Sequence, residues 1–510
     1  MEDHRMVKQI IFPDCYMAKI DLQDAYYMIP IAPEHRKYLR FEFEDQIYQY
    51  CCLPFGLSPA PRIYTKISRP VVAYLRKKGF TSVNYLDDFL LFGETLNKCM
   101  KNVDATLALL TRLGFIVNMK KSILSPCRKI EYLGFIWDSI SMTISLPERK
   151  RTNLLRLVNK TISLKFESIQ NASILIGNLI SATPALDYSM IKTRHLEIEK
   201  IRALAFSNGD YAGLFTYNSE TLTSLLWWKS AIRQGVCKIR SDCFDYEIWT
   251  DASNSGWGAH FQGKTTRGFW SIEEQKLHIN TLELLAIFNG IRSLILFASS
   301  KHILVRSDST TAIAYVNRKG GCHSLVNLNV AEQIWSWCET NSSWITATYL
   351  NTKDNIVADQ ASRQELDEND FFLDSNSFSQ IIKLFQTPEL DLFATQNTRK
   401  CEKFYSWFPD PECSGVDAFS YKWKEYFYAF PPFSLIPRVL RKVRQDQAKG
   451  IIVVPDWKTQ AWFPIFMSLK CSKVLTLKKG KFSLHYPFCN RTHPMSNTLS
   501  LLVAVVSGAT

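Results

Sequence analysis

The sequence lacks the cysteine patterns of disulfide-rich and zinc-binding domains. Its 13 cysteines are an odd number and contain no Cys-x-x-Cys pair, which argues against a disulfide framework and a zinc ribbon. No amino-terminal segment has the features of a signal peptide, and the apolar tail from Leu499 to Val506 is far shorter than the roughly 20 residues of a membrane span. We expect an intracellular protein, cytoplasmic, nuclear or both, with no membrane partner.

Size and charge narrow the class further. A chain of 510 residues with 46% hydrophobic residues has room for about three domains, each with its own core. The 61 Lys and Arg residues exceed the 48 Asp and Glu residues, for a net charge of +13. Such an excess favours an anionic partner such as nucleic acid, although a basic surface that only maintains solubility is an equally good explanation.

The first 120 residues contain two amphipathic helix patterns. Ser58 and Pro59 are suited to a helix start, and Gly79 ends that helix. Its apolar residues recur every fourth position and are predicted to face a core: Ile63, Ile67, Val71 and Leu75. A second helix ends at Gly114 and has the apolar positions Leu96, Met100, Val103, Leu107 and Leu110.

Carboxylates lie where the predicted strands of this region end. Tyr16–Leu22 has strand character and contains Asp21, and two short apolar runs flank Asp87 and Asp88 as in a hairpin. With a last strand over 115–118, the order β, α, ββ, α, β can form an antiparallel sheet that brings all three acids to one end. Two Mg2+ (or Mn2+) ions about 4 Å apart would relieve their repulsion. An Asp-Asp pair alone is more often turn chemistry.

Five motifs now give a specific resemblance. In chain order they are Asp21-Leu-Gln-Asp-Ala-Tyr-Tyr27, Leu53-Pro-Phe-Gly-Leu57, Tyr85-Leu-Asp-Asp88, Lys120-Lys-Ser122 and Tyr132-Leu-Gly134. The order is that of reverse transcriptase motifs, and the chain resembles a retroelement polymerase. The resemblance implies a ferredoxin-like palm in which Asp21 and Asp87 hold the metal ions and Asp88 supports them. It also implies an RNA template, a DNA primer and dNTPs as partners.

The same resemblance assigns substrate contacts to two further motifs. Tyr26 would crowd a ribose 2′-hydroxyl and favour dNTPs, although simple core packing is not excluded. Phe55 and Gly56 would line the template and the nascent base pair, with Gly56 allowing close backbone approach. Without the resemblance, their motif would be an ordinary Pro-Gly loop.

The last two motifs receive roles in the same way. Lys121, or its neighbour Lys120, would protonate the leaving pyrophosphate, whereas a Lys-Lys pair is usually a solvated face. Leu133 and Gly134 resemble the primer grip.

A second set of acids follows a mainly helical stretch over 146–244, which we interpret as a thumb or connection region. Predicted strands end at Asp251 and Asp308, a long helix that starts near Asn280 carries Glu283 in its first turn, and Asp359 opens a short helix. The four acids resemble the RNase H site, in which two Mg2+ ions activate water against RNA paired to DNA. Helix capping is the competing explanation for Glu283, and each acid alone would more often be a surface charge.

One segment departs from the RNase H pattern. That family often has a His a few residues before its last Asp, whereas this chain has Tyr349-Leu-Asn-Thr-Lys-Asp354. Product release or turnover is therefore expected to differ.

The carboxy-terminal third has an α/β pattern after an acidic, polar linker. The aromatic motifs that end at Trp407 and Phe419, together with Phe430-Pro-Pro-Phe433, resemble the tail of DIRS-type, tyrosine-recombinase retrotransposon polyproteins, which implies a methyltransferase-like domain. An active adenine methyltransferase would have Asp or Asn before Pro-Pro-Tyr, and Phe430 cannot accept that hydrogen bond. We expect a non-catalytic, nucleic-acid-binding role, with Pro-rich packing as an equal alternative.

The sequence thus predicts a multidomain chain of α+β and α/β class. The expected divisions are polymerase fingers remnant and palm 1–145, thumb/connection 146–244, RNase H-like domain 245–364, linker 365–380, methyltransferase-like domain 381–490 and tail 491–510.

The resemblance leaves two hypotheses open. Only 20 residues precede Asp21, whereas the family has a basic fingers segment there, so we expect a chain truncated within its fingers. The first hypothesis is a working polymerase with RNase H activity on RNA/DNA hybrids. The second is a retroelement remnant that binds nucleic acid, with RNase H as its one retained activity. The oligomeric state is open.

Overall fold

The computed structural model describes residues 1–295, 299–363, 371–486, 492 and 494–509. The chain divides into two compact units, Met1–Cys243 and Phe244–Thr510, and each unit has hydrophobic cores of its own. Within the described ranges, no helix is both long and apolar enough to cross a membrane.

The first unit contains seven α-helices and twelve strands within the described residues. The helices are α1 (His4–Ile10), α2 (Ala60–Lys77), α3 (Leu96–Arg112), α4 (Glu148–Ile162), α5 (Ile169–Ala182), α6 (Arg194–Phe206) and α7 (Ser219–Gln234). The strands are β1 (Tyr16–Asp21), β2 (Arg40–Phe43), β3 (Gln46–Gln49), β4 (Ser82–Tyr85), β5 (Asp88–Gly93), β6 (Ile123–Cys127), β7 (Lys129–Tyr132), β8 (Phe135–Asp138), β9 (Thr143–Ser145), β10 (Phe166–Ser168), β11 (Leu214–Thr216) and β12 (Cys237–Lys238).

An antiparallel sheet in the order β4, β5, β1, β6 holds the first set of acids. Asp21 lies opposite Asp88 in the register of β1 and β5. Helices α2 and α3 share an apolar cluster with this sheet, including Tyr64, Leu75 and Leu110. The predicted hairpin and its two covering helices are therefore confirmed.

The strand expected over 115–118 is wrong. This segment makes one isolated bridge, between Val117 and Leu22, and the sheet gains β6 instead. Asn118 donates its backbone N–H to the Asp21 carbonyl at 2.8 Å, and the chain then turns back on Asn118 through Ser122. The pairing ends there because this turn takes the chain away from β1.

The predicted core stripe of α2 is only half correct. Val71 and Leu75 are buried, whereas Ile63 and Ile67 are 37% and 40% exposed. Residues four apart advance by 400° around a helix, so a stripe at that spacing drifts by about 40° at each step. Tyr64 and Ser68 therefore take the buried positions at the start of the helix.

The helical pattern expected from Leu146 onward is confirmed by α4 to α7. Their core also includes residues of a second antiparallel sheet, in the order β12, β9, β8, β7. Strands β10 and β11 form a separate antiparallel pair.

The second unit contains seven α-helices and fourteen strands within the described residues. The helices are α8 (Ile279–Leu294), α9 (Thr310–Asn317), α10 (Leu325–Thr340), α11 (Ile356–Ser362), α12 (Ser375–Leu384), α13 (Ile436–Asp446) and α14 (Phe463–Leu469). The strands are β13 (Tyr246–Ala252), β14 (Gly256–Phe261), β15 (Lys264–Phe269), β16 (His302–Ser307), β17 (Trp344–Tyr349), β18 (Phe372–Leu373), β19 (Leu390–Asp391), β20 (Lys403–Ser406), β21 (Gly415–Val416), β22 (Phe427–Ala429), β23 (Lys449–Pro455), β24 (Leu475–Leu477), β25 (Leu484–His485) and β26 (Leu501–Ser507).

A mixed five-stranded sheet, in the order β15, β14, β13, β16, β17, holds the second set of acids. Strands β13, β16 and β17 are parallel, and β14 and β15 add to them as antiparallel neighbours. Parallel strands end at the same edge of a sheet, so Asp251 and Asp308 are brought to one side.

A seven-stranded sheet follows, in the order β21, β20, β19, β22, β23, β26, β24. Its first five strands are parallel, and β26 is antiparallel to both β23 and β24. Apolar clusters cover both faces, which accounts for the nearly continuous apolar sequence of β23 and β26.

Two of the predicted divisions differ from the structure. The linker expected over 365–380 contains β18 and the start of α12, and its residues 365–370 lie outside the described part of the chain. Asp374 caps α12 by accepting the Ser377 backbone N–H at 2.8 Å, a start signal within an otherwise polar stretch. In the expected tail over 491–510, β26 is an inner strand of the sheet, because its run of apolar residues is buried on both faces.

Candidate active sites

Asp21, Asp87 and Asp88 form the first acid group, at the end of β1 and the tip of the β4–β5 hairpin. Burial raises the pKa of Asp21, and the neighbouring Asp88 carboxylate raises it further. Burial also raises the pKa of Asp87, with Asp88 again adding to the shift. Asp88 itself pairs with Lys19, whose Nζ lies 3.1 Å from Oδ1. The surrounding side chains therefore offset only part of the negative charge of the three carboxylates.

Two hydroxyl groups fix the backbone around these acids. Ser122 Oγ accepts the Asp21 backbone N–H at 3.0 Å and donates to the Asn118 carbonyl at 2.8 Å. The fully buried Tyr132 donates its hydroxyl to the Asp88 carbonyl at 3.0 Å. The β7–β8 hairpin is thereby tied to the hairpin that carries Asp87 and Asp88. The hydrogen bond of Tyr132 was missed from the sequence. The alternation of charged and apolar residues in β7 indicates only that the Tyr132 side chain points inward.

A basic groove of about 610 Å³ lies beside the turn of the β7–β8 hairpin. Helix α4 supplies four cationic side chains to its walls: Arg149, Lys150, Arg156 and Lys160. Gly134, Asn153 and Asn178 also line it. One acid, Glu131, accompanies them, so the groove has a positive charge.

Asp251, Glu283 and Asp308 form the second acid group. Each offers one carboxylate oxygen, and these oxygens all lie within 4.8 Å of one another. Among the residues that the structure describes, this is the one group of three with that geometry. Burial raises the pKa of Asp251 to about 6, with Asp308 and Asp359 adding to it. Three carboxylates so close together could hold a divalent cation.

Glu283 differs from its predicted setting. It is the fifth residue of α8 rather than part of the first turn, and it is 6% exposed. Helix capping as the explanation for Glu283 is therefore wrong. Burial raises its pKa to about 8, with further increases from Asp251 and Asp308, while its Oε2 atom is buried without a hydrogen-bond partner.

Asp359, the fourth predicted acid, lies beside this group but outside it. It is close enough to raise the pKa of Asp251. Its Oδ1 accepts a hydrogen bond from Arg363 Nε at 2.7 Å, so its charge is already paired within α11 and the residue after it.

Comparison with known proteins gives a match for the first acid group. Residues 4–137 match the family model described as reverse transcriptase (RNA-dependent DNA polymerase). Residues 4–137 therefore form a reverse transcriptase domain. The matched range contains the first acid group and the β7–β8 turn, and it ends within β8.

About two thirds of the chain has viral polyprotein relatives. The genome polyprotein of Petunia vein clearing virus (isolate Shepherd) is 25% identical over 364 residues, which are 68% of this chain and 15% of the relative. A Cassava vein mosaic virus polyprotein is 23% identical over 70% of this chain and 54% of its own length. The enzymatic polyprotein of Cauliflower mosaic virus (strain D/H) is 23% identical over 68% and 50%. The chain thus spans about half or less of the length of these relatives.

Solved structures of foamy viral protease-reverse transcriptase are also similar. The complex with an RNA/DNA hybrid has 16% identity and a TM-score of 0.40, covering 70% of this chain and 48% of that one. The complex with dsDNA has 17% identity and a TM-score of 0.41, covering 69% and 71%.

Within the reverse transcriptase domain, Tyr26 and Phe55 pack together near the acids. Their ring centroids are 4.9 Å apart, and Tyr26 also packs on Tyr64 at 5.4 Å. Burial raises the pKa of Tyr26, with a further increase from Asp87. Phe55 is 59% exposed. Tyr26 therefore packs in the core near the first acid group, and its role in selecting dNTPs stays a prediction.

The remaining predicted contacts of this domain lie at turns. Gly56 has φ +86°, and no protein atom approaches its missing Cβ within 4 Å. Leu133 and Gly134 have φ 51° and 72° and form the two-residue turn of the β7–β8 hairpin. The positive charge of Lys121 partly opposes the increase that burial causes in the pKa values of Asp21 and Asp87, so its ammonium group lies near both acids. The structure thus brings Lys121 to the acids, and its chemical role stays a prediction.

Proposed function

We propose that the chain is an RNA-dependent DNA polymerase that also cleaves the RNA strand of RNA/DNA hybrids. The observation that carries the proposal is the family match of the segment that bears Asp21, Asp87 and Asp88. An enzyme that copies RNA leaves an RNA/DNA hybrid, and removal of its RNA strand requires a nuclease. The second acid group supplies candidate residues for that reaction.

Asp21 and Asp87 are suited to hold divalent metal at the polymerase site. Both carboxylates are partly buried and lie near Asp88, so their negative charges are poorly compensated. A cation therefore fits their environment. Divalent ions at such a site activate a 3′-hydroxyl and stabilise the leaving pyrophosphate. Asp88, paired with Lys19, supports the other two. Tyr26 would select dNTPs by crowding a 2′-hydroxyl, and Lys121 would donate a proton to the departing pyrophosphate.

Asp251, Glu283 and Asp308 are suited to hold Mg2+ or Mn2+ at the nuclease site. The unpartnered, buried Oε2 atom of Glu283 fits this assignment, because a buried acceptor without a partner is costly. Bound metal supplies an activated water there. Asp359 would complete the predicted set of four acids only if its carboxylate left Arg363.

The basic groove beside α4 supports nucleic acid as substrate. Arg156 and Lys160 are exposed at one wall, where they can contact phosphate oxygens without reading sequence. The nearby turn at Leu133 and Gly134 would then contact the primer strand. A duplex of template and primer would lie along this groove.

For the carboxy-terminal domain we propose a methyltransferase-like fold without methyl transfer, of the DIRS type. The strand order reverses between β19 and β22, the position at which doubly wound sheets bind ligands. Phe430, at the end of β22, is 8% exposed and packs on Phe371 at 5.5 Å. Asp391, at the end of β19, accepts backbone N–H groups of Phe393 and Lys400. Phe430 cannot accept a hydrogen bond from an adenine amine, and both Asp391 oxygens already accept backbone N–H groups. Nucleic-acid binding is therefore the proposed role.

Primer extension tests the polymerase proposal. The purified chain is given a primed RNA template, dNTPs and Mg2+, with Asp87→Asn as the control. We expect extension by the wild type and a loss of at least about 100-fold in the variant, because Asn keeps the shape of Asp87 and removes its charge. Equal extension by both proteins, or none by the wild type, would refute the proposal.

A further inference from the structure

The short segment 352–363 reaches two members of the second acid group through hydroxyl groups. Thr352 Oγ1 donates to Asp308 Oδ2 at 2.7 Å. Ser362 Oγ donates to Asp251 Oδ2, also at 2.7 Å. Both distances are those of short hydrogen bonds to a charged acceptor. These contacts use one oxygen of each carboxylate and leave the other for a ligand.

The segment is itself held firmly against the strand that carries Asp251. Asn355 Nδ2 donates to the Thr250 carbonyl at 3.0 Å, and Ser253 Oγ donates to the Ser362 carbonyl at 2.6 Å. Thr250 and Ser253 lie on either side of Asp251 in the chain. The hydroxyl of Ser362 is therefore aimed at Asp251 by bonds that do not involve the carboxylate.

Close packing of α11 on β14 also fixes the distance between Ser362 and the strand that carries Asp251. A Cβ at Gly258 would lie 2.3 Å from the Ala358 carbonyl oxygen and 2.7 Å from the Ser362 backbone nitrogen. Only glycine allows α11 to approach β14 this closely. Ser362 is 2% exposed, so its hydroxyl is shielded from bulk solvent.

The Ser362 hydroxyl has a second acceptor, the Asp359 carbonyl at 2.9 Å, but only one hydrogen. The shorter bond is to the carboxylate of Asp251, and a charged acceptor binds a hydroxyl more strongly than a neutral one. The Ser362 hydroxyl is therefore expected to donate its hydrogen bond to Asp251 rather than to the Asp359 carbonyl.

We propose that Ser362 and Thr352 are positioning residues, which hold Asp251 and Asp308 in the orientation that binds a divalent cation. The inference rests on the proposed nuclease function of this acid group. Thr352 lies in the segment Tyr349–Asp354, which lacks the histidine expected there, and its hydroxyl gives that segment a different contact with the acids. Neither residue needs to touch the substrate.

The test measures hybrid cleavage by the full chain as a function of Mg2+ concentration. Ser362→Ala should raise the Mg2+ concentration for half-maximal cleavage about 10-fold, a usual effect of losing a partner of a metal ligand. Thr352→Val should raise it less, by roughly 3-fold, because Thr352 is exposed and water can replace part of its bond. Thr352→Ser should restore the wild-type value, and saturating Mg2+ should restore most of the rate in each variant.

Thr340→Val is the matched control in the same unit. Its hydroxyl donates only to the Ser336 carbonyl, at 2.9 Å and on an exposed helix surface, so the Mg2+ dependence should not change. The Tm of each variant, measured by calorimetry, reports whether the unit that carries the substitution is folded. Wild-type Mg2+ dependence in Ser362→Ala and Thr352→Val, or failure of Thr352→Ser to restore it, would overturn the proposal.

Calorimetric titration with Mn2+ separates this proposal from the nuclease function. If the wild type binds Mn2+ more tightly than Asp251→Asn does but cleaves no hybrid, the nuclease function fails. Weaker Mn2+ binding by Ser362→Ala and Thr352→Val would then still support positioning. If wild type and Asp251→Asn bind Mn2+ equally, the positioning proposal is also refuted.

Discussion

At the scale of single residues, the second acid group concentrates burial and charge on Glu283. The residue is 6% exposed, and burial, with the neighbouring Asp251 and Asp308, raises its pKa to about 8. A metal-free chain therefore holds a proton on Glu283 at neutral pH. A bound cation would compensate the same negative charge, so we expect the proton and the metal to compete at this residue.

This competition gives stability a defined pH dependence. The ordinary pKa of Glu283, 4.5, is raised to about 8 on folding, so between these values the folded state binds more protons than the unfolded state. Stability of the metal-free chain should then fall as pH rises through that range. Thermal denaturation in EDTA from about pH 5.5 to about pH 8 should show a decreasing Tm, and Glu283→Gln should flatten the curve. Parallel curves for the two proteins would contradict the assignment.

Tyr132 gives a second prediction at this scale, with Tyr64 as a matched control. Tyr132→Phe removes the donor to the Asp88 carbonyl, whereas the buried Tyr64 hydroxyl has no hydrogen-bond partner. Loss of a buried hydrogen bond costs roughly 1–2 kcal/mol, which lowers Tm by about 2–6 °C. Tyr64→Phe should leave Tm unchanged or raise it. Equal shifts in the two variants, measured by calorimetry, would refute the proposed link between the hairpins.

At the scale of elements, the sequence predicts the β4–β5 hairpin correctly but misplaces half of the buried face of α2 and one strand. The β4–β5 hairpin follows from two apolar runs around Asp87 and Asp88, a local signal. The buried face of α2 was wrong at Ile63 and Ile67, because a spacing of four drifts around the helix. The edge strand was misplaced at 115–118, because the choice of β6 depends on pairing with β1 and not on its own composition.

Helix α4 carries a prediction that depends on the element as a whole. Arg156 and Lys160 both line the groove beside the β7–β8 turn. Replacing both by Gln should weaken RNA/DNA hybrid binding and reduce the slope of log K against log salt by about 1.8, at about 0.9 per lost phosphate contact. Lys98→Gln with Lys101→Gln, on the exposed side of α3, is the control and should leave the slope unchanged. An equal change in both pairs would indicate a general charge effect.

At the scale of the whole molecule, the acid sites were the most predictable part. Asp21, Asp251 and Asp308 each follow a recognisable apolar run, and Asp251 and Asp308 converge because their strands are parallel. Ser362 and Thr352 could not be found this way, since the acids that they contact lie 111 and 44 residues away in the chain. Strand β26 was missed because an inner strand has no alternation to distinguish it from an apolar tail.

We propose two independent metal-dependent sites in one chain, one in each compact unit. The most direct measurement follows primer extension and RNA cleavage in one reaction for Asp87→Asn and Asp308→Asn. We predict that Asp87→Asn abolishes extension and retains cleavage of a supplied RNA/DNA hybrid, while Asp308→Asn does the reverse. Loss of both activities from either substitution, in a protein with wild-type Tm, would refute the proposal of two separate sites.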